Sequence, residues 1–289
     1  MMFNLITCEK TKSQVIFMLN NYWNCNYTDF VFPLPNYEFL QRKHLDIIKN
    51  GYVYTTKNIK HKRAVFILYK NHEDINKQYL VFRDNKIIET NISLNDDYYY
   101  SGSIFDVTYD SEKVYIYDTY MIGGYIVNSC EYNVRHGYAS LFPKNDYITC
   151  CKKYNNICEI KDINPDEEIY FVPNEKSIIS GTDYFAYRWR PSELISFGLK
   201  VKENNEVLDL YTTNFKCDKL FARMTGDTTK KIKELKDYRD GCIVNFNVKK
   251  LEFISENVQT EQEYPTNIRQ IEKIILIKNE DITFRDFFD

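Results

Sequence analysis

Lys57, Lys60, Lys62 and Arg63, with His61 among them, form the densest basic cluster of the chain. Side chains of this type, crowded into one short stretch, suit contact with phosphate oxygens. They equally suit a solvated turn, and spacing alone leaves both readings open. A second constellation, Arg188-Trp189-Arg190, sets two guanidiniums around an indole. Each guanidinium offers a planar fork of donors that can clamp a phosphate, or pair with Glu167 or Glu168 upstream. His44, His72 and His136 stand isolated, so none is expected to act as base or metal ligand. Eight cysteines show no CxxC pair. Cys150-Cys151 with Cys158 lacks the second pair or nearby histidine that a zinc site needs, so no metal site is expected.

The elements that must position these groups are mostly strands. Short β-branched and aromatic runs at Ala64 to Tyr69, Tyr79 to Phe82, Ile104 to Tyr109 and Val114 to Tyr117 predict an antiparallel sheet. Phe39, Leu40, His44, Leu45, Ile47 and Ile48 suit an amphipathic helix closed by Asn50-Gly51. Tyr98-Tyr99-Tyr100 reads as edge-strand packing. After Trp189, Ile195 to Val201 and Val207 to Tyr211 flank Asn204-Asn205, a hairpin signal, and Ile243 to Val248 with Leu251 to Ile254 continue the β pattern. Lys230, Lys231, Lys233 and Lys236, interleaved with Glu234 and Asp237, read as an exposed helix face. Ile268, Ile271, Ile274 and Ile275 repeat at helical spacing behind Pro265, which predicts a C-terminal helix.

The chain has 289 residues, 44% of them hydrophobic, enough for one large or two modest cores. A formal charge of −3 provides no global field for nucleic acid, so any RNA contact must come from a local patch. Tyrosine and phenylalanine are abundant, at 25 and 19 residues, but alongside so much Asn, Lys and Ile this looks like a coding bias and is poor evidence for base stacking. No apolar run reaches the length of a membrane span, and the first residues lack the basic lead and apolar stretch of a signal peptide. With unpaired, irregularly spaced cysteines, the expectation is a soluble, intracellular protein, cytoplasmic rather than nuclear.

A set of short motifs then falls in a meaningful order. Phe32-Pro33-Leu34-Pro35 with Leu40-Gln41-Arg42-Lys43 opens it. Tyr52 to Lys57 and Arg63 to Leu68 follow, then Ser101-Gly102-Ser103-Ile104-Phe105, and Val114 to Asp118 with Gly123-Gly124 and Arg135. Next come Glu167-Glu168-Ile169-Tyr170-Phe171-Val172-Pro173, Gly181-Thr182-Asp183 and Tyr187-Arg188-Trp189-Arg190-Pro191, and last Thr260 to Asn267. Together these resemble the mRNA-capping guanylyltransferase family, cousins of the DNA and RNA ligases, whose corresponding motifs read roughly FPGSQP, KxDGxR, DGELV, IFDV, DGLIFTP, LLKWKP and TDKxxPN.

The resemblance implies an α+β fold: a nucleotidyltransferase domain with an ATP-grasp-like antiparallel sheet over residues 1–194, then a small OB-fold β-barrel with a C-terminal helix over residues 195–289. It also implies a lysine that attacks the nucleotide α-phosphate. Registered on Arg63 without a gap, that position is Asn58; with one inserted residue it is Lys57. The Asp-Gly pair that should follow is absent. Ser101 and Ser103 replace the acids of DGELV, Glu167-Glu168 replaces Asp-Gly, and Arg188 and Arg190 replace both lysines of KWK. Asn257, Gln259 and Gln262 stand where the family has cations. The expectation is therefore a catalytically degenerate, guanylyltransferase-like protein with no catalytic residue and no cofactor. Its former cleft and OB-fold would bind RNA or a ribonucleoprotein of the capping, transcription or translation machinery, ribosome included, through Lys57, Lys60, Lys62, Arg63, Arg188 and Arg190. Duplex DNA and membranes are not expected partners. Two alternatives stay open: a divergent guanylyltransferase that uses Lys57 with GTP and magnesium, and a structural subunit of an enzymatic partner.

Overall fold

The computed structural model describes residues 3–23, 34–142, 145–160, 164, 167–177, 182–192, 195–214, 217–249, 252–259 and 265–288. Phe32, Pro33, Gly181 and the stretch from Thr260 to Tyr264 lie outside them. The chain divides into two compact units: Met1–Glu38 with Asp46–Trp189, and Phe39–Leu45 with Arg190–Asp289.

The first unit is built on two sheets. Its strands are β1 (Asn4–Leu5), β2 (Asn36–Phe39), β3 (Tyr52–Asn58), β4 (Lys62–Lys70), β5 (Asn76–Phe82), β6 (Ile87–Glu89), β7 (Ser103–Tyr109), β8 (Val114–Ile122), β9 (Tyr125–Ile126), β10 (Ile148–Cys150), β11 (Lys153–Tyr154), β12 (Glu167–Pro173) and β13 (Thr182–Trp189). The larger sheet runs β1-β6-β5-β4-β7-β8-β10, with β9 paired to β8; the smaller runs β11-β3-β12-β13-β2. All recorded pairings in the larger sheet are antiparallel except β10 with β8.

The continuous apolar run of β4 has a simple cause, which is that both of its faces are covered. Ala64, Phe66 and Leu68 point into one cluster with Leu80, Phe105 and Val107, and helix α4 (Tyr132–Leu141) caps it through Ala139. Val65, Ile67 and Tyr69 point the other way, where helix α1 (Glu9–Trp23) contributes Val15 and Leu19. Strands covered on both sides lose the hydrophobic-polar alternation, and each such side chain contributes about 1.5 to 3 kcal/mol of burial. The four strands expected between residues 64 and 117 are all present, each extended by one to five residues.

Two local expectations are corrected. Residues 39–48 are not one helix. Phe39 ends β2, Arg42–His44 form a 3-10 turn, and only α2 (Leu45–Ile48) is α-helical. The Gln41 amide donates to His44 Nδ1 at 3.2 Å, and this local turn, with Phe39 drawn into the core of the second unit, outweighs the amphipathic spacing. Gly51, the expected stop, does take the left-handed φ of 73°. Tyr98 to Tyr100 are not a strand edge either. They lie in helix α3 (Asp97–Tyr100), where the Tyr99 hydroxyl is buried against Gln78 Nε2 and the Tyr98 ring lies 4.5 Å from that of Phe142.

The second unit is one antiparallel sheet with two helices. Strands β14 (Phe197–Asn204), β15 (Val207–Asn214), β16 (Cys217–Met224), β17 (Ile243–Lys249) and β18 (Glu252–Gln259) run in the order β16-β15-β14-β17-β18. Asn204 pairs with Val207, so Asn205 and Glu206 close the β14–β15 hairpin, with Asn205 at φ 58° as the two-residue turn requires. Register shifts at Leu210/Tyr211 and Asn245/Phe246 bend the long hairpins. Among the described residues β16 and β18 remain edges, so the expected closed barrel is not formed. Helix α5 (Asp227–Lys233) presents its lysines outward, with Lys233 paired to Glu203 at 2.8 Å. Helix α6 (Ile268–Glu280) buries Ile271, Ile274 and Ile277, and the Asn267 side chain caps its start by accepting from the Arg269 amide.

Candidate functional site

The basic stretch lies where β3 turns into β4, and the turn divides it. Asn58, at the end of β3, accepts from the Lys60 amide through its side-chain oxygen at 2.9 Å, the local bond that shapes the turn. Strand alternation then sends Lys57 inward and leaves Lys60 and Lys62 exposed at the tip. His61 packs on the Tyr115 ring and lies 4.0 Å from Asp110. Arg63, first inward residue of β4, turns back beneath the strand. Four cations that look equivalent in sequence therefore have two different environments.

Lys57 is 3% exposed. Its Nζ lies 3.6 Å from Asp106 Oδ2, an ion pair too long for a hydrogen bond. The Tyr117 and Tyr170 ring centres are 4.3 and 4.4 Å from the amine, and that of Tyr37 is 5.7 Å away. Across the β3–β12 pairing Lys57 faces Glu168, which accepts from the Tyr170 hydroxyl. Burial lowers the Lys57 pKa to about 8, although Asp106 beside it acts in the opposite direction. A desolvated amine with a lowered pKa is a stronger nucleophile at neutral pH than an exposed one.

Asp106 organises the group. Arg63 grips it with two donors, Nε to Oδ1 at 3.0 Å and Nη2 to Oδ2 at 2.5 Å, and spends Nη1 on the Pro35 carbonyl at 2.7 Å. Burial alone would raise this carboxyl; Arg63 and Lys57 more than reverse that and leave it below the usual carboxylate range. Its neighbour on β8, Asp118, is buried against Arg135 of α4 through Nε at 3.0 Å and Nη2 at 3.1 Å. Here burial wins, and the carboxyl is raised despite the arginine. Lys57, Arg63 and Arg135 thus face Asp106, Asp118 and Glu168 inside the first unit.

Of the remaining expected site residues, Arg188 sits on β13 opposite Tyr170, and Arg190 belongs to the second unit, where its guanidinium lies 5.7 Å from the centre of the Phe39 ring. Ser103, taken as the lost acid of its motif, donates to the Tyr98 carbonyl at 2.7 Å. The acid that reaches Lys57 and Arg63 is Asp106, three residues further along the same strand. Motif register concealed it, yet one carboxylate inside the apolar run Ile104-Phe105-Asp106-Val107 was a usable signal, because a buried acid demands a partner. Asp106, held by Arg63 through both oxygens, is a poor ligand for the divalent metal that lysyl transfer would require.

No family model and no curated protein matches the chain. Among solved structures it is similar to a Lig E DNA ligase, at 11% identity and TM-score 0.38, covering 80% of this chain and 100% of the other. It is also similar to the ligase domain of M. tuberculosis LigD, at 7% identity and TM-score 0.36, covering 82% and 97%. A third likeness, to Pmar-Lig, has 10% identity and TM-score 0.40 and covers 89% and 71%. At these scores the likeness assigns neither family nor activity.

Proposed function

We propose that the chain is a nucleotidyltransferase-like protein of the capping-guanylyltransferase type that no longer transfers nucleotide and acts by binding RNA or a ribonucleoprotein, within the capping and transcription machinery or on the ribosome. The observation that carries the first half is the enclosure of Lys57. Transfer needs the amine at the α-phosphorus, and here tyrosine rings and Asp106 occupy the space around it. Asn257, which stands where the family has a cation for the outgoing phosphates, is bonded to Asn245 at 2.9 Å. An OB-type role for the second unit belongs to the same proposal.

RNA contact is supported by Lys60 and Lys62, exposed at the tip of the β3–β4 turn. Each phosphate they neutralise releases a counterion, so binding must weaken steeply with salt. Fluorescence anisotropy with a short single-stranded RNA is expected to show salt-dependent binding, weakened about tenfold in the double variant Lys60→Glu/Lys62→Glu. Equal affinity of the two proteins would remove the turn from the interface, and absence of RNA binding at low salt would sink the RNA reading.

One observation favours a second reading. The lowered pKa of Lys57 is what an active divergent guanylyltransferase would require of its nucleophile. That reading needs GTP, a divalent metal and displacement of the covering tyrosines.

A further inference from the structure

A cavity of about 440 Å³ opens in the first unit where helix α4 meets the crossover from β10 to β11. It is within the usual size range of small-molecule sites. Asn133, His136 and Ser140 share one face of α4, as helical spacing dictates, and Lys152 and Lys153 supply the opposite wall together with Cys150 and Cys151. Among the described residues no carboxylate lines it, and neither lysine pairs with an acid; the Lys153 amine turns to Asn133 on the helical wall, and the Lys152 amine lies over the Tyr154 ring.

The wall is built rather than loose. His136 Nε2 donates to the Cys151 carbonyl at 2.9 Å, which pins the imidazole between helix and crossover. Ser140 Oγ donates to the His136 carbonyl at 2.8 Å. The Lys153 amine donates to Asn133 Oδ1, joining the two walls, and the Lys152 amine rests 4.4 Å from the Tyr154 ring centre. Gly137 adds an independent observation. It lies within α4 at an ordinary helical φ, and a Cβ there would meet nothing within 4 Å. Glycine in a helix interior costs about 1 kcal/mol relative to alanine, and packing offers no reason for it. What its missing side chain leaves is room at the cavity wall.

We propose that this cavity binds a phosphate monoester. A dianionic phosphoryl group suits a lining with two lysines and a side-chain amide and, among the described residues, no carboxylate, and the volume exceeds that of phosphate alone, leaving space for the attached group. The same chemistry could come from a free mononucleotide or from the 5′-phosphate end of an RNA. The site does not depend on the RNA-binding turn at Lys60 and Lys62.

Calorimetric titration of the full chain with inorganic phosphate, adenosine 5′-monophosphate, and a short RNA bearing either a 5′-phosphate or a 5′-hydroxyl tests this. Phosphate and the monoester are expected to compete for one site. Affinity is expected to fall about tenfold or more in Lys152→Ala/Lys153→Ala, in line with loss of charge-assisted hydrogen bonds. It is expected to fall equally in Gly137→Leu, which fills the space while the thermal midpoint holds or rises. Preference for the 5′-phosphorylated RNA over its 5′-hydroxyl form would assign the site to RNA ends; mononucleotide binding without RNA binding would assign it to a free ligand and sink the RNA reading alone. No phosphate binding at millimolar concentration, or binding unchanged in both variants, overturns the proposal.

Discussion

Replacing Asp106 by alanine is expected to destabilise the protein by about 3 to 5 kcal/mol, the usual penalty when one partner of a buried ion pair is removed. The carboxylate is fully buried and serves two cations: Arg63 through two hydrogen bonds and Lys57 through an ion pair at 3.6 Å. Without it two positive charges remain desolvated and close together. A loss on that scale is a large part of the 5 to 15 kcal/mol of a typical domain, so urea unfolding should show it as a large fall in midpoint. Asp106→Asn retains shape and an acceptor and is expected to lose less. Adding Lys57→Met to Asp106→Ala should recover part of the loss, because the two sites share one interaction and their effects cannot add. A cost below about 1 kcal/mol for Asp106→Ala would mean the carboxylate does not hold the two cations as described.

The second large effect is in pH. The Lys57 amine titrates near 8 in the folded chain against 10.5 for the ordinary group, chiefly because burial disfavours its charged form. Between those values the unfolded chain holds a proton that the folded chain has released, so stability contributed by this group rises with pH. Below pH 8 the penalty is present in full. Over pH 8 to 9.5 the rise amounts to about 2 kcal/mol. Other buried groups oppose it at higher pH: burial pushes the Cys151 thiol up to about 12, so its unfolded form ionises first. The difference between wild type and Lys57→Met isolates the amine. That variant is expected to equal or exceed wild type in stability at pH 7, since it removes an amine whose charged form burial disfavours and leaves Asp106 paired with Arg63 through two hydrogen bonds, and to lose the advantage as pH approaches 9.5. Parallel profiles for the two proteins would contradict the burial of Lys57 as a desolvated amine.

Much of the fold was legible in the sequence where local pattern and tertiary environment agree. The β-branched runs of β4, β5, β7 and β8, the Asn205 turn and the isoleucine spacing of α6 each carry their own cause. The misreadings arose where distant residues decide. Phe39 belongs to one core and Ile48 to another unit, so the helical spacing between them never forms one helix. Tyr99 takes its conformation from Gln78, twenty-one positions away in sequence. The site was partly legible. Lys57 and Arg63 were singled out, but their division from Lys60 and Lys62 depends on the Asn58 turn, and the tyrosines around the amine come from β2, β8 and β12, strands that only the folded sheets bring together. Asp106 was hidden because a motif frame placed the expected acid at Ser103, while the strand faces Lys57 with a residue further along.

The enclosure of Lys57 is tested most directly by incubating the purified protein with α-labelled GTP and magnesium or manganese, followed by denaturing electrophoresis, with Lys57→Ala alongside. An amine held between Asp106 and the faces of Tyr117 and Tyr170 should acquire no label, and the two lanes should look alike. A labelled band in wild type that disappears in Lys57→Ala would show that the tyrosines move aside and the lysine attacks the α-phosphorus, and would make this chain a working guanylyltransferase.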